Sequence, residues 1–90
     1  MKTESVPRLG RGCRLAEDPV QGWILLIPEG VLKLSGPGPE ILKHCDGVRT
    51  LGDIARELAV KFPGADATRI EGETTAFLER LEEKRIIVVE

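Results

Sequence analysis

Trp23-Ile24-Leu25-Leu26-Ile27-Pro28-Glu29-Gly30-Val31-Leu32-Lys33-Leu34 is the stretch whose reading decides the fold. The apolar run from Trp23 to Ile27 is rich in strand formers, too short for a helix, and bounded by Gly22 and Pro28, so it reads as a strand buried on both faces or nearly so. Pro28-Glu29-Gly30 is a tight turn, because proline presets one backbone angle and glycine frees the other. Val31 to Leu34 then returns as a second strand, with Val31 and Lys33 on one face and Leu32 and Leu34 on the other. Toward the N-terminus, Arg14-Leu15-Ala16-Glu17-Asp18 reads as a short edge strand. Pro19 closes it, since its missing N–H cannot continue a ladder, and Val20-Gln21-Gly22 forms the turn. Short strands joined by tight turns predict a three-stranded antiparallel meander. The residues before it, 1–12, include Pro7, Gly10 and Gly12 and show no periodicity, which predicts a flexible arm ahead of one folded domain over 13–90.

Toward the C-terminus, Ser35-Gly36-Pro37-Gly38-Pro39 breaks the strand pattern. Pro39 suits a first helical position, where a missing N–H costs nothing, and Glu40 suits the dipole of a first turn. Ile41, Leu42 and Cys45 follow at helical spacing, and Asp46-Gly47 ends this helix, with Gly47 as the left-handed residue. Thr50 and Asp53 form a short-armed capping box for a second helix. Its apolar face holds Leu51, Ile54, Ala55, Leu58, Ala59 and Phe62, and Pro63-Gly64 terminates it. A third helix starts at Asp66 or at Thr68 and carries the stripe Ile70, Thr74, Phe77, Leu78 and Leu81. Gly72 inside it costs about 1 kcal/mol relative to Ala, which calls for a close neighbour or for soft first turns. Ile86-Ile87-Val88-Val89 is a short strand or an extended tail packed on the domain. The fold class expected is α+β, winged helix-turn-helix-like: a three-stranded antiparallel sheet followed by a three-helix bundle.

Composition narrows the function. Ninety residues form one domain. Aromatic residues are only 3% of the chain (Trp23, Phe62 and Phe77), so the core is built from Leu, Ile and Val, with Trp23 expected as a core anchor. A formal charge of −2 lacks the positive balance of a nucleic-acid binder. No apolar run reaches a membrane-spanning length and Met1 to Gly10 has no signal-peptide core, which predicts a soluble cytoplasmic protein. Cys13 and Cys45 read as reduced thiols, Cys45 facing the core; whether the fold brings them together to pair stays open.

Residue chemistry gives no catalytic set. His44, Cys45 and Asp46 are adjacent, and neighbouring helical residues point about 100° apart, so they cannot share one ion. No metal and no cofactor is expected. Glu79, Glu82 and Glu83 lie opposite the apolar stripe, on a solvated face. The Gly-Pro loop lacks the N–H donors of a phosphate cradle, and no nucleophile stands beside a base, so an enzyme is not expected. A DNA-binding winged helix is the obvious rival reading. Its third helix would carry bases toward the groove, yet residues 66–85 hold six acids against four bases.

Taken in order, Arg11 to Val20, Trp23 to Leu34, Glu40-Ile41-Leu42 with Cys45-Asp46-Gly47, and Phe77-Leu78 with Leu81 resemble the PqqD family of pyrroloquinoline quinone biosynthesis. The likeness runs from about Arg8 to Val89 and rests on the order and spacing of all its pieces. It implies a RiPP recognition element, which binds the precursor peptide PqqA as a strand added to the sheet edge. It also implies presentation of that peptide to PqqE, the radical SAM enzyme that cross-links a Glu and a Tyr within it. The positions matching the groove are Val31, Leu32, Lys33 and Leu34 on the third strand. On the third helix they are Ile70, Thr74, Phe77, Leu78 and Leu81, with Thr74 and Leu78 taken to point outward. Gly36 to Pro39 departs from the family's helix-forming stretch and predicts a late first helix. A dimerisation module that pairs the same edge with a second copy is a further reading.

Overall fold

A computed structural model describes residues Met1–Glu90. In chain order the elements are β1 (Pro7–Leu9), β2 (Arg14–Asp18), β3 (Gly22–Ile27), β4 (Gly30–Lys33), α1 (Gly38–Lys43), α2 (Leu51–Lys61), α3 (Ala67–Glu83) and β5 (Ile87–Val89). Strands β2, β3 and β4 form the expected antiparallel meander, with β3 in the middle. Leu25 pairs with both Leu15 and Leu32, so these three share the face turned to the helices. That face joins a core of Leu, Ile and one Cys, among them Leu25, Ile41, Leu42, Cys45, Ile54, Leu58 and Leu78. The opposite face carries Arg14, Ala16, Ile24, Leu26, Val31 and Lys33, with Val31 and Lys33 exposed on it. Strand β3 is buried on both faces at its middle, Ile24 on one and Leu25 on the other, while Trp23, Leu26 and Ile27 are half-buried, close to the nearly buried strand expected.

Residues 1–12 are not a loose arm. Pro7–Leu9 pairs antiparallel with Ile87–Val89 in a separate two-stranded sheet. The pairing extends at both ends: Val6 and Glu90 exchange N–H···O bonds at 3.2 and 3.1 Å, and the Gly10 N–H donates to the Ile86 carbonyl at 2.6 Å. The expected C-terminal strand is thus present, and its partner is the segment read as an arm. Three residues form too short a run for a period-2 pattern to register, so the pairing is invisible until both ends of the chain are brought together.

The same segment completes the start of α2. The Leu51 N–H donates to the Ser5 carbonyl at 2.8 Å and the Gly52 N–H to the Thr3 carbonyl at 2.9 Å. The Asp53 N–H donates to Thr50 Oγ1 at 3.1 Å, closing the expected capping box with Asp53 Oδ2, which accepts from the Thr50 N–H. The first three orphan donors of the helix are all satisfied. Gly52 permits this approach, since a Cβ there would lie 2.6 Å from Thr3 Cγ2.

Helix α1 starts one residue before Pro39 and ends at Lys43, so Gly47 (φ 79°) serves the following turn and not the helix terminus. Helix α3 takes Asp66 as its cap, Oδ1 accepting from the Thr68 N–H at 2.9 Å; the Thr68–Glu71 alternative is unused. Nothing lies within 4 Å of a Cβ built at Gly72, so no close neighbour accounts for that glycine. The helix closes in a Schellman turn: the Ile86 N–H donates to the Leu81 carbonyl and the Arg85 N–H to the Glu82 carbonyl, both at 2.9 Å. Arg85 occupies the left-handed position, φ 62°.

Candidate functional site: a cleft beside the free edge of β4

Strand β4 has a neighbour on one side only. The Leu34 N–H donates to the Trp23 carbonyl at 3.0 Å, which fixes the phase of the ladder. Leu34, Leu32 and Gly30 face β3 with their backbone groups, and the N–H and C=O groups of Val31 and Lys33 point out from the edge. No element of the chain covers them.

A cleft of about 830 Å³ opens beside this edge. Lys33, Leu34 and the loop 35–38 form one wall; Ile70, Glu73, Thr74, Phe77 and Arg80 of α3 form the other. Buried Ile41 and Leu58 supply apolar floor, and Phe62 and Ala65 also line the cleft. The Phe77 ring rests on the start of α1, with Cζ 3.4 Å from the Cβ position of Gly38. Glu40 binds α1 to the end of α2, accepting from Lys61 Nζ at 2.8 Å and Lys43 Nζ at 3.1 Å. Those lysines hold its carboxyl below the usual range. Lys43 also stands over the Trp23 ring, 4.3 Å from its centroid. Trp23 is therefore a half-buried platform at the start of the central strand and not the core anchor its size suggested.

Of the nine groove positions read from the sequence, Lys33, Leu34, Ile70, Thr74 and Phe77 line this cleft. Val31 and Leu32 do not; Val31 lies 50% exposed on the outer face, and Leu32 packs under the sheet. Leu78 and Leu81 belong to the core. The outward orientation given to Thr74 and Leu78 is wrong: Leu78 is 0% and Thr74 1% exposed. Helix α3 packs on both α2 and β5, and Leu78 lies in the core with Leu58, Leu81 and Ile87. Thr74 reaches the cleft from its floor. Sequence reasoning missed Phe62, which continues the apolar spacing of α2 but lies beyond its last turn, 40% exposed. It also missed Glu73 and Arg80, whose helical spacing of seven puts them one above the other on the cleft side of α3.

Elsewhere the reactive groups are occupied. Cys45 Sγ donates to the Ile41 carbonyl at 3.3 Å, and burial pushes its thiol up to about 12. His44 Nδ1 lies 2.7 Å from the Glu40 carbonyl oxygen. No group of three His, Cys, Asp or Glu side chains is placed to hold a metal ion. No helix is long and apolar enough to cross a membrane.

Residues 22–87 match the family model described as coenzyme PQQ synthesis protein D (PqqD). The chain belongs to the PqqD family. A relative from Xanthomonas axonopodis pv. citri named PqqA binding protein is 38% identical over 85 residues, 93% of this chain and 91% of the relative. Another of that name, from Acinetobacter baylyi, is 33% identical, covering 96% and 86% of the two chains. The fold is similar to the solution structure of the PqqD truncation of Methylobacterium extorquens PqqCD, described as a functional, stand-alone RiPP recognition element. The TM-score is 0.78 at 37% identity, covering 92% of this chain and 88% of that one. A crystal structure of PqqD from Xanthomonas campestris aligns with TM-score 0.59 at 34% identity, covering 96% of each chain. An α+β domain with a three-stranded antiparallel sheet and helices is common ground with this family.

Proposed function

We propose that this chain binds the precursor peptide PqqA by strand addition to the free edge of β4, and presents it to the radical SAM enzyme PqqE without itself catalysing a reaction. One observation carries the reading. The unpaired backbone of Val31 and Lys33 opens directly on an apolar-floored cleft, in a chain whose relatives are named PqqA binding proteins. An added strand would satisfy the edge donors and acceptors and send alternate side chains into the cleft. Backbone bonds then supply much of the affinity, and Leu34, Ile70, Phe62 and Phe77 the apolar selectivity. We read the arrangement as winged helix-like, with the meander as the wing and α2 and α3 as the helix-turn-helix. The two unpaired cysteines support a reducing, cytoplasmic setting. The acidic balance of α3 argues against duplex DNA as the ligand.

The test is a titration of isotope-labelled protein with synthetic PqqA, following backbone amides. Shifts confined to Val31–Leu34, the loop 35–38 and α3 are expected. An unchanged spectrum at high peptide concentration, or shifts restricted to residues 1–12, would sink the reading. Addition of PqqE to the complex is expected to broaden the amides of the labelled protein.

A further inference from the structure

The protein carries a net charge of −2, yet its cleft has the opposite local sign. Three charged side chains line it: Lys33 on the β4 wall, and Glu73 and Arg80 on α3. Glu73 is paired with Arg69, whose Nε donates to it at 3.2 Å from one turn earlier on the same helix. Neither Lys33 nor Arg80 takes part in any ion pair of the chain. Both side chains are exposed. Two uncommitted cations therefore flank an apolar floor, beside an edge that takes an extended backbone.

Resting on the strand-addition reading above, we infer that the cleft selects an acidic peptide, one whose carboxylates are interspersed with apolar side chains, and that Lys33 and Arg80 determine that specificity. The geometry divides the work between them. Successive side chains of an added strand point to opposite faces. A peptide carboxylate directly opposite Lys33 forms a cross-strand pair with it on the outer face of the sheet. Its sequence neighbours turn into the cleft, where Arg80 offers a planar fork of donors suited to a carboxylate. A basic peptide meets two repelling charges and one carboxylate, Glu73, that already shares its charge with Arg69. Rejection of like charge thus sharpens the choice beyond what the apolar floor can make.

The experiment uses the full chain, its Lys33→Gln and Arg80→Gln variants, and two probes: synthetic PqqA, and PqqA with every Glu and Asp replaced by Gln and Asn. Dissociation constants are read by calorimetry at low and high salt. Wild-type protein is expected to bind the neutralised peptide about tenfold more weakly than native PqqA at low salt. The gap should close as salt shortens the screening length from about 10 Å at 0.1 M to about 3 Å at 1 M. Each variant is expected to lose about threefold in affinity for native PqqA, the scale of a partly exposed ion pair, and nothing for the neutralised peptide. Both positions are exposed, and an unchanged thermal unfolding curve shows that each variant still folds. Equal binding of the two peptides by wild-type protein overturns the charge specificity and leaves peptide binding standing. Failure of native PqqA to bind at any salt overturns both. A chain that sediments as a dimer, and remains one with PqqA present, assigns the edge to a second copy and likewise overturns both.

Discussion

Phe77 of α3 packs its ring tip against Gly38, the first residue of α1, with Cζ 3.4 Å from where a Cβ on Gly38 would stand. That distance is ordinary van der Waals contact, so one methyl fits and a branched side chain does not. Gly38→Ala is expected to fold and bind as the wild type does, whereas Gly38→Leu drives the ring into the cleft and weakens PqqA binding. Phe77→Ala removes the wall itself. Half-buried Phe77 should cost about half of the ~3–5 kcal/mol of a core phenylalanine, read from denaturant unfolding.

Lys33 contributes both an outward N–H and a charge, and two substitutions separate them. Lys33→Gln keeps the N–H; Lys33→Pro removes it without touching the ladder to β3, because the Lys33 N–H faces away from that strand. If the peptide adds as a strand, the proline variant binds more weakly than the glutamine variant by about 1 kcal/mol, the net worth of one backbone bond. Equal affinities of the two variants would show that the edge is not used.

Several carboxylates are held below their usual range: Asp53 by the Thr50 N–H and hydroxyl, Asp46 by the Arg49 and Val48 N–H groups, Asp18 by those of Gln21 and Val20, and Glu40 by Lys61 and Lys43. A depressed folded-state pKa contributes stability that is fully present above the unfolded value, about 3.9 for Asp and 4.3 for Glu, and is lost as pH falls through the folded value. Denaturation midpoints should therefore hold steady from neutral pH to about pH 5 and drop below about pH 4. Asp53→Asn should lower stability at neutral pH and flatten the acid slope.

Residues 1–9 are part of the folded structure, with Pro7–Leu9 as a strand and Thr3 and Ser5 bonded to α2. Their removal strips the carbonyls of Thr3 and Ser5 from α2 and the partner from β5. The truncated chain is expected to unfold at a clearly lower temperature, where removal of a true arm would leave the transition unmoved. Gly10→Ala probes the same junction by itself. A Cβ there would stand 2.7 Å from the Arg85 carbonyl oxygen and 3.1 Å from that of Ile86, both backbone atoms that cannot swing aside. The expected loss is about 1–3 kcal/mol.

Arg85 occupies the left-handed position of a Schellman turn, where glycine is the usual choice. Arg85→Gly relieves about 1–2 kcal/mol of backbone strain and gives up part of it to unfolded-chain entropy. A net gain of about 0.5 kcal/mol, seen as a rise in thermal midpoint, is expected. A lower midpoint would mean that the side chain holds the turn in some other way.

The sequence by itself determined the elements whose signals are local. The meander follows from an apolar run between Gly22 and Pro28, α2 from Thr50 and Asp53, and α3 from its 3.6-residue stripe, with its cap left between Asp66 and Thr68. Each depends on residues within a few positions of one another, and periodicity and turn chemistry act over that range. The free edge of β4, and five of the nine residues assigned to the groove, were legible on the same basis together with the family likeness. Tertiary structure decided what depends on residues far apart in the chain. The pairing of β1 with β5 joins positions such as Leu9 and Ile87, and it turned residues 1–12 from an arm into a cap for α2. Helix α3 packs on α2 and β5, with Leu78 in the core and Arg80 on the cleft. A periodic stripe says that one side of a helix is apolar. Which edge of that stripe lies over a neighbour, and which over an open cleft, is set by the neighbour, and short-range spacing carries no record of it.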